Sequence, residues 1–136
     1  MAESVALRQA ARSTAAHMGF AFLAMGGWAA FANREHGPLA MAFAFVVQGL
    51  MSALLTWALK RWLEQGYRSL FARLPHPVRR LLPPTVSTLI IGCALWLAHR
   101  LAGTPEILAT IAVPWSVSTL YAFVYTATLR LPETSA

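Results

Sequence analysis

Charge is what this sequence has least of. Of its 136 residues 12% are charged and 57% are apolar, and only five of the charges are acidic. A soluble domain carries roughly 25% charged residues, so this composition cannot cover a folded chain with water-facing groups. Mean hydropathy is +0.54, which makes lipid the natural solvent for most of the chain. The single cysteine, Cys93, excludes an intrachain disulfide and a cysteine-built zinc site. It lies in an apolar run and reads as a small packing residue. Also missing are a nucleophile motif, a paired-carboxylate pattern, a phosphate loop and an HExxH helix. The expectation is therefore a protein that is not an enzyme and needs no cofactor.

What is present is a set of long apolar runs. A bilayer core about 30 Å thick needs about 20 apolar residues of helix. Four segments meet or approach that length, near residues 15–32, 38–59, 84–101 and 105–129. The expected fold is an all-α integral membrane domain spanning residues 1–136, with four transmembrane helices arranged as two helical hairpins. A cleavage-like Ala30-Phe31-Ala32 follows the first run; the reading adopted keeps that run as an uncleaved span.

The positive charge sets the orientation. The net charge of +6 would suggest nucleic acid in a soluble protein. Here the cations flank apolar runs, so they report topology and contact with anionic lipid, and no nucleic-acid partner is expected. Arg8, Arg12, Lys60, Arg61, Arg68, Arg73, Arg79, Arg80 and Arg130 fall on one side of a four-span chain; Arg34 and Arg100 fall on the other. The positive-inside rule then puts both termini in the cytoplasm of a plasma (inner) membrane.

The connection 60–83 carries six of those cations. Leu59, Leu63, Leu70 and Leu74 recur there at helical spacing, and Glu64 and Arg68 form an i,i+4 pair. Pro38 to Leu74 would extend roughly 55 Å if wholly helical, more than a bilayer. The expectation is an amphipathic cytoplasmic extension that projects, or bends near Gly66 and lies on the surface. It serves as a topology anchor or as a site for acidic lipid or a protein partner.

The two outward turns resemble each other. Ala32-Asn33-Arg34-Glu35-His36-Gly37-Pro38 aligns with Ala98-His99-Arg100-Leu101-Ala102-Gly103-Thr104-Pro105. Glycine suits a left-handed helix stop, proline suits a helix start, and Thr104 suits an N-cap for a helix beginning at Pro105. Convergent helix punctuation accounts for the likeness; duplication of one hairpin is the sharper alternative, and would give a parallel repeat. In that case Arg34, His36, His99 and Arg100 would gather at an outer mouth suited to an anion or a lipid phosphate.

No Asp, Glu, Lys or Arg lies deep in a span, which disfavours a carboxylate-driven cation exchanger. The uncharged polar residues form stripes. Gln48, Ser52 and Thr56 occupy an arc of roughly 80° on the second span. Pro114, Ser118, Tyr121, Tyr125 and Thr128 share a face of the fourth. Such stripes either fasten helices together or line a path. Gln48 needs a partner, and Tyr121 or Tyr125 could supply it. The path reading names Gln48, Ser52, Ser118, Tyr121 and Tyr125 as lining residues. Four helices enclose little, so a path would need a homo-oligomer. Two functions follow: an oligomeric transporter or channel-like protein for a neutral, anionic or lipid substrate, or a non-catalytic accessory subunit or scaffold of a larger membrane complex.

Overall fold

The computed structural model describes residues 2–129, with side chains from Ser13 onward. Arg130, and the side chains of Arg8 and Arg12, lie outside that range. Four helices follow in order: α1 (Ala2–Ala32), α2 (Gly37–Gln65), α3 (His76–Leu101) and α4 (Ile107–Thr128). A short 3-10 turn, Arg34–His36, joins α1 to α2, and a π turn, Gly66–Leu70, extends α2. No strand occurs among the described residues. All four helices are long and apolar enough to cross a membrane.

The second helix runs past the expected span end at Leu59, in line with the helical spacing of the extension, to Gln65 and through the π turn that starts at Gly66. The extension is part of the bundle rather than projecting from it: Leu63 and Tyr67 are buried, while Leu70 and Leu74 are exposed. One helix start differs from the sequence reading. The third helix starts at His76 rather than Pro84. The proline in its first turn is Pro77, where a missing N–H costs nothing. Pro83 and Pro84 are interior and buried. The Trp62 indole donates to the Pro83 carbonyl at 3.1 Å and pins α2 to this part of α3.

Packing in lipid gains little from hiding apolar surface, because lipid tails are as apolar as leucine. Close contact and hydrogen bonds must hold the helices instead. Glycine provides the close contact. Phe22-x-x-x-Gly26 in α1 faces Phe45-x-x-x-Gly49 in α2 reciprocally. A Cβ on Gly26 would sit 2.8 Å from the Phe45 carbonyl oxygen, and one on Gly49 would sit 2.9 Å from the Phe22 ring. The two rings meet edge to face at 5.4 Å, a favoured aromatic geometry. Between α3 and α4, a Cβ on Gly92 would meet the Trp115 ring at 2.9 Å, and the Trp115 indole donates to the Thr88 carbonyl at 2.9 Å.

The remaining core is Leu59 and Leu63 from α2, Ile91 and Leu95 from α3, and Ile111 and Ala122 from α4. Between 11% and 28% of each spanning window is buried, so most of every helix faces outward. Leu39, Leu101 and Leu108 are over 70% exposed; in a bilayer such positions carry no penalty. Cys93 is exposed as well, not packed as its surroundings suggested.

Candidate functional site

Two hydrogen-bonded networks of buried polar groups start from the two turns at one end of the bundle. The first network is a chain through Thr104, His99, Gln48 and Ser52. His99 Nδ1 lies 2.8 Å from Thr104 Oγ1, His99 Nε2 lies 2.8 Å from Gln48 Oε1, and Gln48 Nε2 donates to Ser52 Oγ at 2.8 Å. Gln48 and His99 are fully buried, and Ser52 and Thr104 nearly so. Local structure places each of them. Gln48 and Ser52 are one turn apart on α2. His99 is in the last turn of α3. Gly103, at φ +68°, turns the backbone so that Thr104 N donates to the His99 carbonyl at 3.0 Å. With the Gln48 amide placed nitrogen toward Ser52, its oxygen faces His99, and the matching tautomer carries the proton on Nε2. Nδ1 then accepts from the Thr104 hydroxyl.

The second network is built on Asn33, also fully buried. Its Nδ2 lies 2.9 Å from the Ala29 carbonyl and 2.8 Å from Thr110 Oγ1, and donates to both. Its Oδ1 accepts from the Glu106 backbone N–H at 3.0 Å. That contact serves an otherwise orphaned donor at the start of α4. The sequence assigned that duty to Thr104, as N-cap of a helix beginning at Pro105. In fact α4 begins at Ile107 and has no side-chain cap of its own. Asn33 supplies the acceptor from α1, which frees Thr104 for His99. Outside this network His36 Nε2 lies 3.1 Å from Glu106 Oε1, both groups well exposed.

The two networks occupy equivalent places in the repeated pattern. Asn33 and His99 are the aligned polar residues of the two turns, and both are fully buried. Four positions earlier come Ala29 and Leu95, both fully buried, and seven earlier come Gly26 and Gly92, both in close contact with an aromatic residue of the next helix. Each polar residue reaches across the bundle. Asn33, just past the end of α1, reaches α4, and His99 on α3 reaches α2.

This arrangement revises the two site expectations. The outer quartet does not assemble. His99 points inward because a buried Gln48 requires a partner. His36 bonds Glu106. Arg34 pairs with Glu35 at 3.2 Å, donates to the Phe31 carbonyl and stacks over the Phe31 ring. Arg100 is exposed. The path residues separate too. Gln48 and Ser52 join His99. Ser118 Oγ turns back to the Pro114 carbonyl at 2.7 Å. Tyr125 donates to Glu64 near the far end of α2, with Tyr121 stacked on it at 5.3 Å. Gln48 thus takes its partner from α3 rather than from the tyrosines of α4. Glu64 bonds Tyr125 and makes no ion pair with Arg68 (among the described residues the arginine ion pair is Arg34–Glu35).

Sequence reasoning missed Asn33, Thr110 and Glu64 as partners. Asn33 did carry a signal, its alignment with His99. Among the described residues no three His, Cys, Asp or Glu side chains gather to hold a metal. Two open apolar crevices occur. One of about 190 Å³ lies between α2 and α3, lined by Leu55, Ala58, Leu59, Trp62, Ser87, Ile90 and Ile91. The other, of about 420 Å³, lies along α1 and α2 near Ala30, Pro38 and Phe45. Neither includes a member of the polar networks. Comparison with protein-family models, curated proteins and solved structures finds no match to this chain.

Proposed function

We propose that this chain is a non-catalytic multi-pass membrane subunit that acts by docking on another membrane protein, and that its polar interior fastens helices rather than conducting a substrate. One observation carries the fastening part of this reading. Gln48, the path candidate whose side chain carries separate donor and acceptor groups, is fully buried and held between His99 and Ser52. Each side chain in that chain is bonded to another, and burial keeps the chain from a solute. The proposal includes two helical hairpins with Asn33 and His99 at equivalent turns, both termini cytoplasmic in a plasma membrane, and the basic segment 60–83 on the cytoplasmic side.

The second reading is an oligomeric transporter or channel-like protein. Its support is Tyr121, 41% exposed on α4 and stacked on a tyrosine that bonds a carboxylate. A second subunit laid against that face would bring polar groups of two chains together.

Proteoliposomes carrying wild type or Gln48→Leu, assayed for glycerol, chloride and proton flux, separate the two. The fastener reading expects no flux from wild type above empty vesicles, and a Gln48→Leu protein that unfolds more easily in detergent. Wild-type flux that Gln48→Leu abolishes at unchanged stability would establish the path instead.

A further inference from the structure

Among the described residues, cations far outnumber carboxylates at the end of the bundle away from the two turns. Lys60, Arg61, Arg68, Arg73, Arg79 and Arg80 lie on the end of α2, the π turn and loop that follow, and the first turns of α3. The nearby carboxylate, Glu64, already accepts the Tyr125 hydroxyl. Two of the arginines are drawn into the fold. Arg79 is only 8% exposed; its guanidinium lies 5.0 Å over the Tyr67 ring and donates from Nη1 to the Ala72 carbonyl at 3.1 Å. Its Nε is buried without an acceptor. Arg80 is half-buried, its Nε is equally hidden, and its guanidinium has no hydrogen bond or ion pair among the described residues. A buried guanidinium lacking an acidic partner is costly unless an anion completes it.

We propose that Arg79 and Arg80 form a phosphate site, and that its occupant is the headgroup of an anionic phospholipid. Guanidinium matches phosphate oxygens in pairs of parallel hydrogen bonds. Tyr67 and Ala72 fix the Arg79 side chain beforehand, which lowers the ordering cost of binding. The surroundings point to lipid as the source. The helices leading to this end are apolar on their outer faces, and Trp57, 46% exposed beneath Arg61 at 5.6 Å, is a residue suited to the headgroup boundary. The site shares with the docking proposal only the premise that these helices sit in a bilayer. A failed phosphate test therefore leaves docking intact, and a finding of transport leaves the phosphate site intact.

The test follows thermal unfolding of the full chain in mild detergent while phosphatidylglycerol, phosphatidylcholine or inorganic phosphate is titrated. Phosphatidylglycerol raises the wild-type midpoint saturably, and phosphatidylcholine does so less. Arg80→Gln keeps the lipid-free midpoint but needs about tenfold more phosphatidylglycerol or more, the loss expected for one charge-assisted contact. Arg80→Lys retains charge without the paired geometry and weakens binding as well, so the site stays testable should Arg80→Gln fail to fold. Arg100→Gln, at the opposite end, responds as wild type. A response to inorganic phosphate equal to that for phosphatidylglycerol would overturn the lipid assignment. Equal phosphatidylglycerol responses in wild type and both Arg80 variants, or an equal loss in Arg100→Gln, would overturn the site itself.

Discussion

The two ends of this bundle use polar side chains in opposite ways. At the turn end, Asn33, Gln48, His99 and Thr104 are buried and each finds a partner within the chain. At the basic end, Arg79 and Arg80 are drawn inward yet keep nitrogens without acceptors. A closed network specifies which helices meet and in what register. An open one is where the proposed lipid phosphate would bind, on the guanidinium groups beside those nitrogens. Polarity inside a membrane helix is thus not itself a sign of a path or a pocket; what decides is whether the donors and acceptors cancel.

Substitutions at the two ends should therefore behave differently. The largest loss is expected from His99→Ala. It leaves the Gln48 amide oxygen and the Thr104 hydroxyl without their partner and opens a void, costing about 2–4 kcal/mol of unfolding free energy in detergent. Asn33→Ala removes three hydrogen bonds at the equivalent place and should cost about 1–3 kcal/mol. A loss as small as that of an ordinary surface substitution would show that the two turns are not equivalent fasteners. Arg80→Gln, in the absence of anionic lipid, should change stability by no more than about 0.5 kcal/mol, since it breaks no bond within the protein. Chemical denaturation of the three variants side by side gives the order directly.

Much of the helical architecture was legible in the sequence, because apolar length is a strong signal and lipid composition enforces it. The four long helices follow from it, and so does Gly103 as a helix stop. Helix ends were less legible. Pro84 looked like a start because proline suits a first turn, yet Pro77 satisfies the same rule eight residues after Ser69 and the chain uses it. The burial of the α2 extension was missed because Lys60 and Arg61 mark a membrane boundary in composition, whereas Leu63 and Tyr67 on the other face still find a core.

The site was legible only in part. Gln48 and Ser52 stood out by spacing, and their mutual bond follows from it. The His99 contact joins residues 51 positions apart, and no local pattern reports such a pairing. The repeated turn drew attention to its arginines because they are charged. The residue beside each arginine matters more to the fold. Asn33 and His99 point inward, while Arg34 and Arg100 stay at the surface.

The central claim is that Gln48 and His99 act on each other as a fastener between α2 and α3. A double-mutant cycle with Gln48→Leu, His99→Leu and the pair, read by reversible unfolding in detergent, tests it most directly. The account predicts a coupling of about 0.6 to 1.7 kcal/mol, from the mean to the maximum measured for hydrogen bonds between membrane helices. Strictly additive losses, or single variants as stable as wild type, would contradict it.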